Sequence, residues 1–347
     1  MQTGHGNDIY DYADIRCDFS SNIPYRNASE TIADYLKNCM DTICNYPDPN
    51  SRKLTSQLAN FHAVSPDNIL VTNGSAEAFY LLAHLFQHRK SIIPYPAFSE
   101  YEDACRTYRH EISFLPIGSL QDTPHFEVDM AWFGVPNNPD GTIVSNDTIS
   151  RFCSENRHTY FVVDTAYDEL CPRNESVKEL QGRFKNLIIV HSLTKTFGIP
   201  GLRLGYIVAD RQIIDDIRSL RPPWSVNALA LEAGSFILEN RNRLLPDAAS
   251  LCAESARLQQ EINALPQFEV TASPSNFFLV KMTEGTAAEL KQFLIDKSGL
   301  LIRDAANFRG LTPQHFRISV QDEVWNHQLI KALILFCTIS LSHTRIF

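Results

Sequence analysis

The chain has 347 residues, 44% of them hydrophobic and 20% charged, with a formal net charge of −9. This is globular composition, with apolar material for one large core and a smaller second one. The acidic balance argues against nucleic acid or an anionic membrane surface as the main partner. The eight cysteines (Cys17, Cys39, Cys44, Cys105, Cys153, Cys171, Cys252 and Cys337) are scattered, with neither a C-x-x-C pair nor a Cys/His ligand spacing. Free thiols in a reducing cytosol are therefore expected, and no metal site. The first sixteen residues, "MQTGHGNDIYDYADIR", have no apolar core of a signal peptide. The late run "ALILFCTISL" falls short of the roughly 18 apolar residues that span a bilayer. A soluble, cytoplasmic protein is expected.

Along the chain, Ser29 to Cys44 reads as an amphipathic helix with Ile32, Leu36, Cys39 and Ile43 on one face and Ser29 as its cap. "NYPDPNS" breaks it, and Leu54, Leu58 and Phe61 mark a second helix. From there strands and helices alternate. "NILVT" leads through a glycine turn into the helix "NGSAEAFYLLAHLF", and "SIIPYP" leads into the helix "AFSEYEDACRTY". "MAWFGVPNNPDG" is a strand running into a turn, followed by the helix "DTISRFCSEN"; "TYFVVDTAYDE", "NLIIVHS" and "LRLGYIVA" are three more apolar strands.

Continuous Val/Ile/Leu strands between helices predict an α/β fold with a mostly parallel sheet covered on both faces. After Asn240 a long polar helical stretch, Arg241 to Leu265, precedes "FEVTAS", "NFFLVKM", a helix around "AAELKQFLI", "LLIRDAANF", "FRISV" and a last helix. The predicted division is a large domain over 28–240 and a smaller α+β domain formed by 1–27 with 241–347.

In such sheets the chemistry gathers in loops at the carboxyl ends of the strands. Five strand ends would converge: "NGSAE" (73–77), "PAF" (96–98), "NNP" (137–139), "DTAY" (164–167) and "SLTK" (192–195). Gly74, Ser75 and Ala76, opening a helix, offer backbone N–H groups and a positive dipole end to a phosphate. Ser192 and Arg203 could add a hydroxyl and a permanent cation to the same phosphate. Phe98 offers a flat face for stacking. Asp164, following "YFVV", would be a buried carboxylate, costly unless it meets a protonated partner. Lys195 adds a primary amine. A phosphate, an aromatic ring, a ring nitrogen needing an acid and an aldehyde needing an amine describe pyridoxal 5′-phosphate. No strand is followed by G-x-G-x-x-G, which sets a dinucleotide oxidoreductase aside.

The order "NG-A-E … PAF … NNPDG … D-AY … SLTK … PGLRLGY" resembles the fold type I (aspartate-aminotransferase) superfamily of pyridoxal-phosphate enzymes over nearly the whole chain. Within it the chain resembles two sister groups, threonine-phosphate decarboxylases of cobalamin synthesis and histidinol-phosphate aminotransferases. "GHGN", "DFSSNI", "YPDPN", "PWSVNALA" and "LIRDAANFRGL" lean towards the decarboxylases. The resemblance implies a seven-stranded sheet in the large domain, Lys195 as the Schiff-base lysine, Asp164 at the pyridine nitrogen, and Asn138 and Tyr167 near the ring's phenolic oxygen. It further implies Arg317 as the principal substrate-anion arginine, with Arg303, Asn22, His5 and Gly6 around the substrate. It also implies a homodimer in which Tyr46 reaches the cofactor phosphate of the partner subunit.

Two departures stand out. The usual "NNPTG" is "NNPDG", so Asp140 brings a negative charge near the site, though that position usually serves the turn, and "SSNIPYRNA" lacks the usual "NP-G" after Asn-Ile. The expected reaction is decarboxylation of O-phospho-L-threonine to aminopropanol phosphate. The alternative is transamination of histidinol phosphate or a related amino acid with 2-oxoglutarate. Whichever bond at Cα stands perpendicular to the cofactor ring is cleaved, and the anion clamps choose it. A non-catalytic pyridoxal-phosphate-binding regulator is disfavoured by the intact Lys195, Asp164 and Arg317 and by the lack of an appended DNA-binding segment.

Overall fold

Thirteen strands organise the computed structural model, which describes residues 6–25, 27–123, 125–172 and 176–344. In chain order they are β1 (Cys17–Asp18), β2 (Ile69–Thr72), β3 (Lys90–Tyr95), β4 (Glu111–Pro116), β5 (Met130–Gly134), β6 (Tyr160–Asp164), β7 (Leu187–Ser192), β8 (Gly205–Val208), β9 (Phe268–Thr271), β10 (Phe277–Met282), β11 (Leu300–Leu301), β12 (Arg303–Asp304) and β13 (His315–Ser319). β2 to β8 form one seven-stranded sheet in the order β2-β8-β7-β6-β5-β3-β4. Its pairings are parallel from β7 through β4, while β8 runs antiparallel to both β7 and β2.

The strands form because their residues are wanted on both faces. Along β5, Trp132 points into a cluster with Phe79, Leu82, Ile214 and Ile217, from the helices Gly74–Leu85 and Arg211–Leu220. Its neighbours Ala131 and Phe133 point the other way, into a cluster with Ile149 and Phe152 of the helix Asn146–Glu155. Period-two alternation with apolar residues in both phases is the mark of a doubly covered sheet. β4 is the strand that apolar reading overlooks. It lies at the sheet's edge, none of its side chains is fully buried, and its exposed residues alternate.

Two predicted helices are shorter than their patterns suggested. The first runs only over Ser29–Lys37 and is followed by a 3-10 turn over Met40–Cys44, which leaves Ile43 exposed. Ser29 is not its cap: Ala28 occupies that position, and the Asn27 side chain accepts from the Ser29 N–H at 2.9 Å. The polar stretch after Asn240 divides into Arg241–Leu244 and Ala248–Asn263, restarted where Asp247 caps Ser250 N–H.

A second sheet, β12-β13-β10-β9, is antiparallel throughout and is covered by Leu258, Ile262, Leu290, Leu294, Leu329 and Leu333 from three helices. The short β1 pairs in parallel with β11, which buries Cys17 and Phe19 in this same cluster. Beyond β1 the N-terminal segment reaches the large sheet, where the Ser21 carbonyl meets Lys195, just past the end of β7. Among the described residues no helix is long and apolar enough to cross a membrane.

Candidate active site

A cavity of about 310 Å³ opens where the ends of β6 and β7 meet the N-terminal segment and β12–β13. Its walls bring together Gly6, Ser75, Ala76, Phe98, Asn138, Asp164, Tyr167, Ser192, Lys195, Arg203, Arg303 and Arg317, all of which the sequence had nominated. They come from distant parts of the chain: strand ends of the large sheet bring most of them together, and the N-terminal segment and β12–β13 add Gly6, Arg303 and Arg317.

Gly74 explains one wall. It opens its helix at φ +77°, and a Cβ there would fall 2.7 Å from the Arg203 guanidinium. The missing side chain therefore lets Arg203 approach the free N–H groups of the helix start, giving an anion site of backbone donors and one cation. Arg203 itself is left-handed, at φ +56°. Ser192 completes this side, its hydroxyl bonded to that of Thr194 at 2.8 Å.

Asp164 ends β6 with both oxygens engaged: Oδ2 accepts from the Tyr101 hydroxyl at 2.7 Å and Oδ1 from the Ala166 N–H at 2.9 Å. Burial pushes its carboxyl up to about 6, although both bonds and the Lys195 charge pull the other way. Lys195 Nζ donates to the Ser21 carbonyl at 3.0 Å. Burial, helped by Arg317 and Arg203, brings its ammonium down to about 8. An amine made more readily available and a carboxylate whose hydrogen-bond donors among the described residues, Tyr101 and Ala166, are both neutral fit pyridoxal phosphate, with the Gly74–Arg203 cradle ready for its phosphate.

On the opposite wall Arg303 and Arg317 are directly paired across β12 and β13, and both are buried, at 8% and 4% exposure. Like charges facing each other across an antiparallel pair are destabilising, and more so away from water. Arg317 donates to Asn138 Oδ1 and the Ser20 carbonyl, leaving its Nε buried without a partner. Burial lowers it to about 10. Arg303 donates to Asn307 Oδ1 at 2.8 Å and lies 5.3 Å from the Phe308 ring centroid. Two guanidinium groups held this way are a receptor for an anion.

Other nominated residues lie elsewhere. Asn22 is wholly buried at φ +59°, beside Tyr167 and not on the cavity wall. Tyr46 is 83% exposed and not on this chain's cavity wall; its ring packs on Trp224 at 4.9 Å, beside a separate hollow lined by Asp48 and Leu231. His5 lies outside the described residues. The Asp140 carboxylate is not on the cavity wall: it serves its own turn, accepting from Asn137 Nδ2 at 2.7 Å and from Thr142 Oγ1 at 2.7 Å. Sequence reasoning missed Ser20, Ser21, Tyr101 and Phe308. Tyr101 had a signal, since it lies three residues beyond Phe98 on the same helix.

The sheet order and the lysine–aspartate–arginine constellation define the fold type I class of pyridoxal-phosphate enzymes. The chain belongs to the family aminotransferase class I and II, whose model matches residues 16–333. It is similar to the crystal structure of L-threonine-O-3-phosphate decarboxylase from Porphyromonas gingivalis, at 36% identity and a TM-score of 0.87, covering 92% of this chain and 99% of that one. It is 32% identical over 345 residues to a protein of Caldanaerobacter subterraneus subsp. tengcongensis provisionally named threonine-phosphate decarboxylase, covering 95% of this chain and 92% of the relative. The histidinol-phosphate aminotransferase of Thermoanaerobacter pseudethanolicus is 28% identical over 335 residues, covering 90% and 93%. The chain is thus a pyridoxal-phosphate-dependent enzyme of this family.

Proposed function

We propose that the protein decarboxylates O-phospho-L-threonine to aminopropanol phosphate, as a step of cobalamin synthesis. The observation that carries a phosphorylated substrate is the buried pair Arg303 and Arg317, whose mutual repulsion a dianion would relieve. Similarity to the Porphyromonas decarboxylase favours that amino acid over histidinol phosphate.

In this reading Lys195 would hold the cofactor's aldehyde carbon, Asp164 its ring nitrogen, Asn138 and Tyr167 its phenolic oxygen, and Gly74, Ser75, Ala76, Ser192 and Arg203 its phosphate, with Phe98 against the ring. Bound pyridoxal phosphate supplies an electron sink for negative charge at the substrate Cα. Asp164, ionised against a ring N–H, keeps that sink protonated. Arg303 and Arg317 would bind the substrate phosphate, with Gly6 and His5 around the substrate and Asn22 behind the wall beside Tyr167, which would leave the carboxylate free to stand perpendicular to the ring. Lys195, once released by the substrate's amine, would be free to return one proton to Cα as the carboxylate leaves as CO₂.

We also read the chain as two domains, 28–240 and 1–27 with 241–347, because each half has its own sheet and core cluster. The working form is a cytoplasmic homodimer in which Tyr46 of each chain serves the other's cofactor phosphate. The test is CO₂ release from O-phospho-L-threonine by the loaded enzyme with no keto acid present. Release that vanishes in Lys195→Ala supports the reading. Glutamate formed from histidinol phosphate and 2-oxoglutarate, without CO₂, would replace it with the aminotransferase.

A further inference from the structure

One turn of helix, Phe98 to Glu102, touches both halves of the cavity. Phe98, Ser99 and Glu100 line it, and Tyr101 donates to Asp164. Glu102 turns the other way, to the loop that follows Arg303. There Arg309 Nη2 donates to Glu102 Oε1 at 2.7 Å and Nε to Oε2 at 3.2 Å, a two-pronged pair. The guanidinium also lies 3.8 Å from the centroid of the Phe114 ring.

An exposed ion pair contributes little, and Arg309 is 39% exposed. Glu102 is not: its side chain is 8% exposed. Burial pushes its carboxyl up, yet Arg309 and Arg106 outweigh burial and hold it below the ordinary value. Bidentate geometry and a desolvated carboxylate are the conditions under which such a pair fixes position. The loop is pressed home beside it. Gly310 has φ +81°, and a Cβ there would fall 2.5 Å from the Tyr95 ring at the end of β3. Between Arg303 and Arg309 lie Asn307 and Phe308, which with the Asp304 carbonyl contact the Arg303 guanidinium, and Phe308 is itself buried on the cavity wall. Displacing Arg309 would displace both.

We infer that Arg309 is a positioning residue for the substrate phosphate: its ion pair with Glu102 locks the 303–310 loop, and with it Arg303 and Phe308, onto the helix that carries Phe98 and Tyr101. The inference rests on the phosphorylated-substrate reading above. Arg106 supplies an internal control. Its Nε donates to the same Glu102 oxygen at 2.7 Å, but from within the same helix, so it ties nothing across the cavity. It also keeps Glu102 paired when Arg309 is removed.

The experiment is calorimetric titration of the pyridoxal-phosphate-loaded protein with n-propyl phosphate, an inert monoester with no amine to react. Arg309→Ala is expected to weaken binding about tenfold, the usual scale for losing a residue that orients a ligand-binding group. KM for O-phospho-L-threonine should rise by about the same factor with kcat and cofactor absorbance nearly unchanged. Arg309→Lys should fall between, because one ammonium cannot replace the fork. Arg106→Ala should bind like the wild type. Binding in Arg309→Ala within about twofold of wild type, or equal weakening in Arg106→Ala, would overturn the inference while leaving the phosphate reading intact. A wild-type protein that does not bind n-propyl phosphate would sink that reading, and the inference with it.

Discussion

The Tyr101 hydroxyl donates to Asp164 Oδ2 at 2.7 Å across 63 residues of chain, with both side chains buried. This bond stabilises the charged carboxylate in a place where burial disfavours it. Tyr101→Phe removes a hydrogen bond to a charged group at almost no change in shape, a loss of about 1.5–3 kcal/mol. The Asp164 carboxyl then rises further above about 6, and less of it is ionised at neutral pH. Cofactor binding, followed by equilibrium dialysis at pH 7, should be weakened about tenfold or more. It should recover in part at pH 8.5. Unchanged affinity at both pH values would mean that Tyr101 is only packing.

Asp164 also makes the cofactor-free protein sensitive to pH. Its folded value, about 6, exceeds the 3.8 of an unperturbed aspartate. Between those values the folded state binds more protons than the unfolded one, so stability falls as pH rises. The stabilising contribution is complete below 3.8 and is lost as pH passes through about 6. A shift of that size corresponds to about 3 kcal/mol. Cofactor-free Asp164→Asn should therefore melt above the wild type at pH 7, with the gap closing as pH drops towards 4. Calorimetric Tm values across that range test it, and a gap independent of pH would refute it.

Lys195 carries the opposite shift, from 10.5 down to about 8, through burial first and then Arg317 and Arg203. In the cofactor-free protein its amine should be labelled by trinitrobenzenesulfonate with a midpoint near pH 8. Arg203→Met removes one of the charges that lower Lys195 and should move its midpoint upward. Mass spectrometry of the labelled peptides at a series of pH values reads both. A midpoint near 10.5 for Lys195 would contradict the buried amine.

How much of this could be read beforehand follows from the range of each interaction. β5, β6 and β7 were legible because burial on both faces leaves unbroken apolar runs. β4 was not, since an edge strand with alternating exposure carries no such run. The direction of β8 was equally hidden: an antiparallel strand buried on both faces has the same composition as a parallel one. In the site, motif residues such as Lys195 and Asp164 were legible because their chemistry is unusual at a strand end. The Tyr101–Asp164 bond and the Arg309–Glu102 pair were not, because the register that unites them is set by packing of whole elements. Asp140 serves its turn, as that position in the motif usually does, and its partners Asn137 and Thr142 lie within three residues of it.

Tyr46 supplies the sharpest test of a shared site. It is exposed, and its contact with Trp224, itself 47% exposed, places two large aromatic rings at the surface beside a hollow. If each chain lends Tyr46 to the other, Lys195→Ala and Tyr46→Ala are defects in complementary halves of one site. Each variant alone should be impaired, the first wholly. When the two are unfolded together and refolded in equal amounts, half the dimers are hybrids, and one site in each hybrid has both residues intact. Activity should return to about a quarter of the wild-type value per site, in proportion to the hybrids formed. Separation of the hybrid by a charged tag would allow its activity to be measured directly. A mixture no more active than Tyr46→Ala alone would mean that Tyr46 acts within its own chain or not at all.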